Sequence, residues 1–155
     1  MLIKLKNGPD SYLLQLIVLI NANPTNNIFS IGGRTDANNN NDFLFMQLDA
    51  NFNVISNKTI GGLGSEECNA IIAYNDGYLM AGNSNSFSSD LDLFLVYVDQ
   101  DGDVVWQRVF QNEGDDFAED IILLSDGGIA ILGNKITNSK SQGVLLKLDP
   151  LGFIR

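Results

Sequence analysis

Three aspartates recur at one interval along this chain: Asp49, Asp99 and Asp149, 50 residues apart each time. Two other landmarks keep nearly the same period. Gly33, Gly82 and Gly133 close the segments "SIGG", "LMAG" and "AILG" at spacings of 49 and 51, and Asp76 and Asp126 open two "DG" turns 50 apart. Self-similarity at such a period marks a repeated supersecondary unit that cannot bury its own apolar face and must stack on its neighbours. Residues 1–155 therefore read as one repeat domain.

Each repeat holds four apolar segments. The first is "LIVLI", "AIIAY" or "DIILL"; the second is "IFSIGG", "YLMAG" or "IAILG". The third is "FLFMQLD", "LFLVYVD" or "VLLKLD", and the fourth is "NVISNKTI" or "DVVWQRVF". The first and third are apolar on successive residues, which predicts strands buried on both faces. Connections such as "SDGG" and "DQDG" are hairpin turns, too short for parallel crossovers. No segment carries a long helical pattern to cover the sheets, so neighbouring sheets must cover each other. The expectation is an all-β, β-propeller-like chain of four-stranded antiparallel blades, about three per chain: 13–60, 68–110 and 117–155.

The third blade lacks most of its last strand, because "LGFIR" stops just after the turn. Laying "KLKNGPDSYLLQLIVLI" over the segment that starts at Val109, an offset of 105, puts Ile17 on Ile122 and Met1 on Trp106. Residues 1–6, "MLIKLK", are then expected to be an outer, closing strand alongside Val144–Asp149. Three blades are too few for a ring. Two closings stand open: self-association of two copies into a six-bladed ring, or a longer propeller of which this chain is a piece.

The third repeat also carries a family pattern: Trp106, then Gly114, Asp116 and Ala118, then Asp126-Gly127-Gly128, Gly133 and Leu146-Lys147-Leu148-Asp149. It resembles the repeats of bacterial secreted and cell-surface β-propeller proteins. The resemblance implies a propeller fold and a role in adhesion, scaffolding or ligand display, with a protein or carbohydrate ligand and a location outside the cell or at its surface. No export signal is visible in "MLIKLK" itself.

Composition narrows the chemistry. The chain has no histidine, which removes Ser-His-Asp and Cys-His catalysis and His-ligated metals. A net charge of −10 with nine scattered basic residues repels nucleic acid and anionic membrane. No apolar run approaches the roughly 20 residues of a spanning helix, so membrane insertion is not expected. The single cysteine, Cys68, reads as a small buried residue rather than a reactive thiol.

If the repeats are propeller blades, the loops joining fourth to first strands and second to third strands share one face. There "NGPDS", "GSEE" and "NEGDD" would set Asp10, Glu66, Asp115 and Asp116 around the axis, beside Tyr12 and Phe117. Such a ring could hold Ca²⁺ or hydrogen-bond a sugar over an aromatic; equally, Asp and Asn could simply cap turns. "DQDGD" opens like an EF-hand loop but lacks its later ligands, and the glycines of "GGLG" are followed by no phosphate-binding Lys. The leading expectation is a non-enzymatic binding or scaffold module with no cofactor beyond Ca²⁺. The alternative is a carboxylate-dependent glycosidase or lyase using Glu66, Asp115 and Asp116.

Overall fold

The computed structural model describes residues 15–23, 28–35 and 40–155, the first stretch by its backbone. Over these residues the chain is all-β, with eleven strands in three antiparallel sheets. Sheet I is β1 (Gln15–Asn23), β2 (Ile28–Thr35), β3 (Asp42–Leu48) and β4 (Val54–Ile60), in that order. Sheet II is β5 (Glu66–Tyr74), β6 (Gly77–Ser84), β7 (Asp92–Asp99) and β8 (Val104–Phe110). Sheet III is β9 (Asp115–Leu123), β10 (Ile129–Thr137) and β11 (Lys140–Leu148), three strands instead of four. A fourth strand only begins there: Ile154 bridges Leu148, and the Arg155 N–H donates to the Lys147 carbonyl. The closing strand expected at 1–6 lies outside the described residues. Among the described residues the sheets form no closed ring, and no helix is long and apolar enough to cross a membrane.

The repeating aspartate is a turn device. Asp49 Oδ1 accepts the N–H groups of Asn51 and Asn53, Asp99 Oδ1 those of Asp101 and Asp103, and Asp149 Oδ1 those of Leu151 and Phe153. In each turn the residue three past the aspartate sits at positive φ: Phe52 at 62°, Gly102 at 82° and Gly152 at 80°. One short acceptor thus satisfies two backbone donors that the bend takes out of the ladder. The EF-hand-like "DQDGD" is this turn, its first carboxylate committed to its own backbone.

The repeating glycine answers to a bulge. In every sheet the first strand carries an extra residue at the same place opposite the second: Ile17 in β1, Asn69 in β5 and Glu119 in β9, with a further one, Ala22, near the end of β1. The bulge drives the bulged strand's backbone toward the facing strand. A Cβ on Gly82 would fall on the Glu67 carbonyl oxygen, and one on Gly133 on that of Phe117. The pairing register also corrects the alignment read from sequence. Leu16 pairs with Gly33 as Cys68 does with Gly82 and Ala118 with Gly133. The first strand of sheet I therefore matches that of sheet III at an offset of 102, not 105, and Ile17 corresponds to Glu119, not Ile122.

The sheets stack face to face. Phe43, Phe45, Cys68, Ile71, Met80, Phe94 and Val96 fill the seam between sheets I and II. Ala70, Leu79, Leu95, Ile121, Ile131 and Leu148 fill the seam between sheets II and III, with Trp106 of β8 packed over its edge. The apolar run of β5 is buried on both faces: Ile71 faces sheet I, Ala70 and Tyr74 face sheet III, and the bulge at Asn69 puts Cys68 on the same face as Ile71. Sheet II is buried on both faces, as the pattern predicts. Sheet III is not, and most of β11 is exposed.

Candidate functional site

Among the described residues, the loops leading into β5 and β9 meet those leading into β3 and β7 at one end of the sheets. Their contacts repeat from seam to seam. The Glu66 N–H donates to the Asn41 carbonyl at 2.7 Å, and 50 residues on the Asp116 N–H donates to the Leu91 carbonyl at 2.6 Å. The "GGLGS" loop is then laced to the "NSNS" loop: the Gly64 N–H reaches Ser86 Oγ at 2.8 Å and the Ser65 N–H reaches Asn85 Oδ1 at 2.6 Å. These glycine N–H groups are spent inside the chain, which agrees with rejecting a phosphate loop there.

The six residues singled out from sequence fall into separate environments. Asp10 and Tyr12 lie outside the described residues. Glu66 is fully buried at the I–II seam. Its Oε1 accepts from Ser84 Oγ at 2.6 Å and from Ser86 Oγ, and its Oε2 accepts the Gly62 N–H at 3.0 Å. Asp42, from the start of β3, completes the set by hydrogen-bonding to Glu66. Burial first, and the Glu66 charge second, push the Asp42 carboxyl above the usual carboxylate range.

Asp115, Asp116 and Phe117 lie together at the II–III seam, on β9 and apart from Glu66. Asp116 is 5% exposed, with Oδ2 accepting from Asn112 Nδ2 at 3.0 Å. Phe117 is half-buried and borders a narrow apolar cleft with Leu93, Phe110, Ile131 and Leu146. Asp115 points the other way along the seam, and its Oδ1 accepts the Leu91 N–H at 3.0 Å.

Beyond Asp115 is an open, shallow groove that sequence reading did not assemble. Asp90, Glu113 and Asp115 line it, with Thr137, Asn138 and Ser139 of the β10–β11 hairpin. Asp90 Oδ2 accepts the Gly114 N–H at 3.3 Å, and Thr137 Oγ1 donates to the Glu113 carbonyl at 3.1 Å. Asn138 and Ser139 both have positive φ, as a two-residue hairpin turn requires, and "TNSK" carries that signal. Among the described residues no three carboxylates or thiols converge closely enough to share a metal ion.

Cys68 is buried, and burial pushes its thiol up to about 12. The Trp106 ring is held between neighbours: Tyr97 lies 5.7 Å away and the Arg108 guanidinium stands 4.9 Å above it. Against known protein-family models the chain matches none, and a search of curated proteins returns no match.

Proposed function

We propose that this chain is a non-enzymatic binding module built of β-propeller blades, with its ligand face at the end where the "GGLGS", "NSNSFSSD" and "NEG" loops meet. The propeller reading is supported by how the sheets fan. The first strand of each following sheet, β5 or β9, lies against the sheet before it, while the fourth strands β4 and β8 stand apart. Inner strands close together and outer strands splayed is the arrangement of blades about an axis.

The observation that carries the binding reading is the acidic groove at the II–III seam. Asp90, Glu113 and Asp115 are presented there among Thr, Asn and Ser side chains. Hydroxyls, amides and carboxylates on a shallow polar surface suit a carbohydrate or a polar peptide. Glu66 and Asp116, the residues a carboxylate enzyme would need, are buried and hydrogen-bonded within the chain, which favours binding over turnover. A glycan array, run with and without Ca²⁺ and paired with a hydrolysis assay on any bound glycan, tests this. Binding that Glu113→Ala weakens, without turnover, is the expected result. Hydrolysis of a bound glycan, or binding untouched by changes at Glu113 and Asp90, overturns it.

A further inference from the structure

The outer face of sheet III is apolar and open. Ile122, Leu132 and Leu145 are 55%, 54% and 72% exposed, and the pairings Leu132–Leu145 and Ala130–Ile122 set them side by side on one surface. The repeat says what such a face is for. Their counterparts in sheet II, 50, 51 and 50 residues earlier, are Ile72, Ala81 and Leu95. Those three pack into the II–III seam, Ala81 and Leu95 with no exposure at all. The positions that bury against a following sheet in sheet II are thus presented to water in sheet III.

We infer that this face is the docking surface for a second copy of the chain, sheet III against sheet III about a two-fold axis. Two observations select that occupant. The first is charge. Asp120 pairs with Leu132 on β9's side of the face, and Lys147, which also meets Asp126 of its own chain at 3.4 Å, pairs with Ala130 on β11's side, so opposite charges stand at opposite corners of an apolar centre. A two-fold operator can bring Asp120 of one copy over Lys147 of the other twice, which a self-complementary interface needs. The second is the state of the opposite end. A six-bladed ring would seat sheet III on the outer face of sheet I. There Ile31, Leu44, Met46 and Leu48 are only 0–2% exposed within a single chain. A second copy therefore meets sheet III through its own sheet III rather than through sheet I. This inference does not depend on the binding role proposed above.

The size of the face sets the strength. Three strands at about 4.8 Å by nine residues at about 3.3 Å give on the order of 400 Å² per copy, about half of a standard stable interface. The dimer is therefore weak, and its mass should depend on concentration.

Leu132, on the central strand, lies near its own mate under any two-fold axis through the middle of this face. The test is the mass in solution of the parent, Leu132→Lys and Leu132→Cys between about 5 and 500 μM. The parent should pass from monomer toward dimer, and Leu132→Lys should stay monomeric with its circular dichroism unchanged. Leu132→Cys should form a disulfide-linked dimer on mild oxidation, cleanly because Cys68 is buried. A parent that stays monomeric throughout, or one that dimerises while Leu132→Lys still dimerises and Leu132→Cys gives no linked dimer, overturns the inference. Loss of fold in Leu132→Lys would leave Leu132→Cys to decide: linkage supports the face, and its failure removes it.

Discussion

Asp42 and Glu66 share a hydrogen bond across the seam between sheets I and II, beside a glycine, Gly61, whose hydrogen a side chain could not replace without striking both carboxyls. Burial first, and the Glu66 charge second, raise the Asp42 pKa above 3.8. A carboxyl raised in the folded state stabilises fully below its unfolded pKa, and that contribution is lost as pH rises through the folded value. Asp42 is partly exposed, so screening keeps the effect below about 1 kcal/mol. Asp42→Asn keeps a donor for Glu66 and removes the charge. It should melt higher than the parent at pH 7 and lose that advantage near pH 3.5. Equal differences at both pH values would show that the Asp42 carboxyl is not raised in the folded state.

Asp126 supplies the opposite slope. Its pKa is lowered, first by the Gly128 N–H and then by Arg155 and Lys147. Its contribution is present above 3.8 and is lost as pH falls through the lowered value. Asp126→Asn should therefore lower the melting temperature at neutral pH and flatten the acid limb of its profile. An unchanged acid limb would place the ion pairs at Asp126 outside the stability of the fold.

Asp99 accepts two backbone N–H groups through one oxygen, both at 2.9 Å. Asp99→Ala leaves both donors without that acceptor and should cost about 1–2 kcal/mol in urea unfolding, with Asp99→Asn recovering part of it. A loss below a few tenths would mean that water replaces the carboxylate freely.

The part of this fold legible in sequence is the part written within one hairpin. Asp49, Asp99 and Asp149 act on residues two and four ahead, so their spacing and their turns could be read together. The Ile17, Asn69 and Glu119 bulges could not. A bulge leaves the apolar composition of a strand unchanged while switching the face of everything beyond it, and the pairing of Leu16 with Gly33, which fixes the alignment of β1, is likewise not written in the strand itself. Glu66 was legible as a residue of the loop end but not as a buried one. Its partners, Asp42, Ser84 and Ser86, come from other strands and loops 18 to 24 residues away, and "GSEE" alone looks like an exposed acidic loop. The groove at Asp90, Glu113 and Thr137 joins three separate turns, so no local pattern announces it.

Cys68 should be silent in the native protein. It is fully buried against Gly32 of β2, and its pKa of about 12 leaves almost no thiolate at pH 8. An aromatic disulfide reagent should react only as fast as the chain opens, at a rate independent of reagent concentration, and at once in denaturant. A rapid, concentration-dependent reaction under native conditions would mean that the seam between sheets I and II opens without unfolding.

Phe52 and Gly102 occupy the same place in consecutive turns and should respond oppositely to exchange. Phe52 holds φ at 62° and stacks on Phe29 with ring centroids 5.2 Å apart. Removing its side chain relieves left-handed strain of about 1–2 kcal/mol and forfeits a stack worth about 0.5–1.5 kcal/mol. Phe52→Gly should therefore leave stability within about 1 kcal/mol of the parent, on either side. Gly102 holds φ at 82°, and a Cβ there would press into the Phe45 ring at the core of the I–II seam. Gly102→Ala adds the strain and a core clash together, so it should cost more than about 2 kcal/mol. Urea unfolding of the two variants beside the parent gives the comparison. If Gly102→Ala proves as mild as Phe52→Gly, the second turn does not pack on sheet I as closely as described, and the seam is looser than its buried aromatics imply.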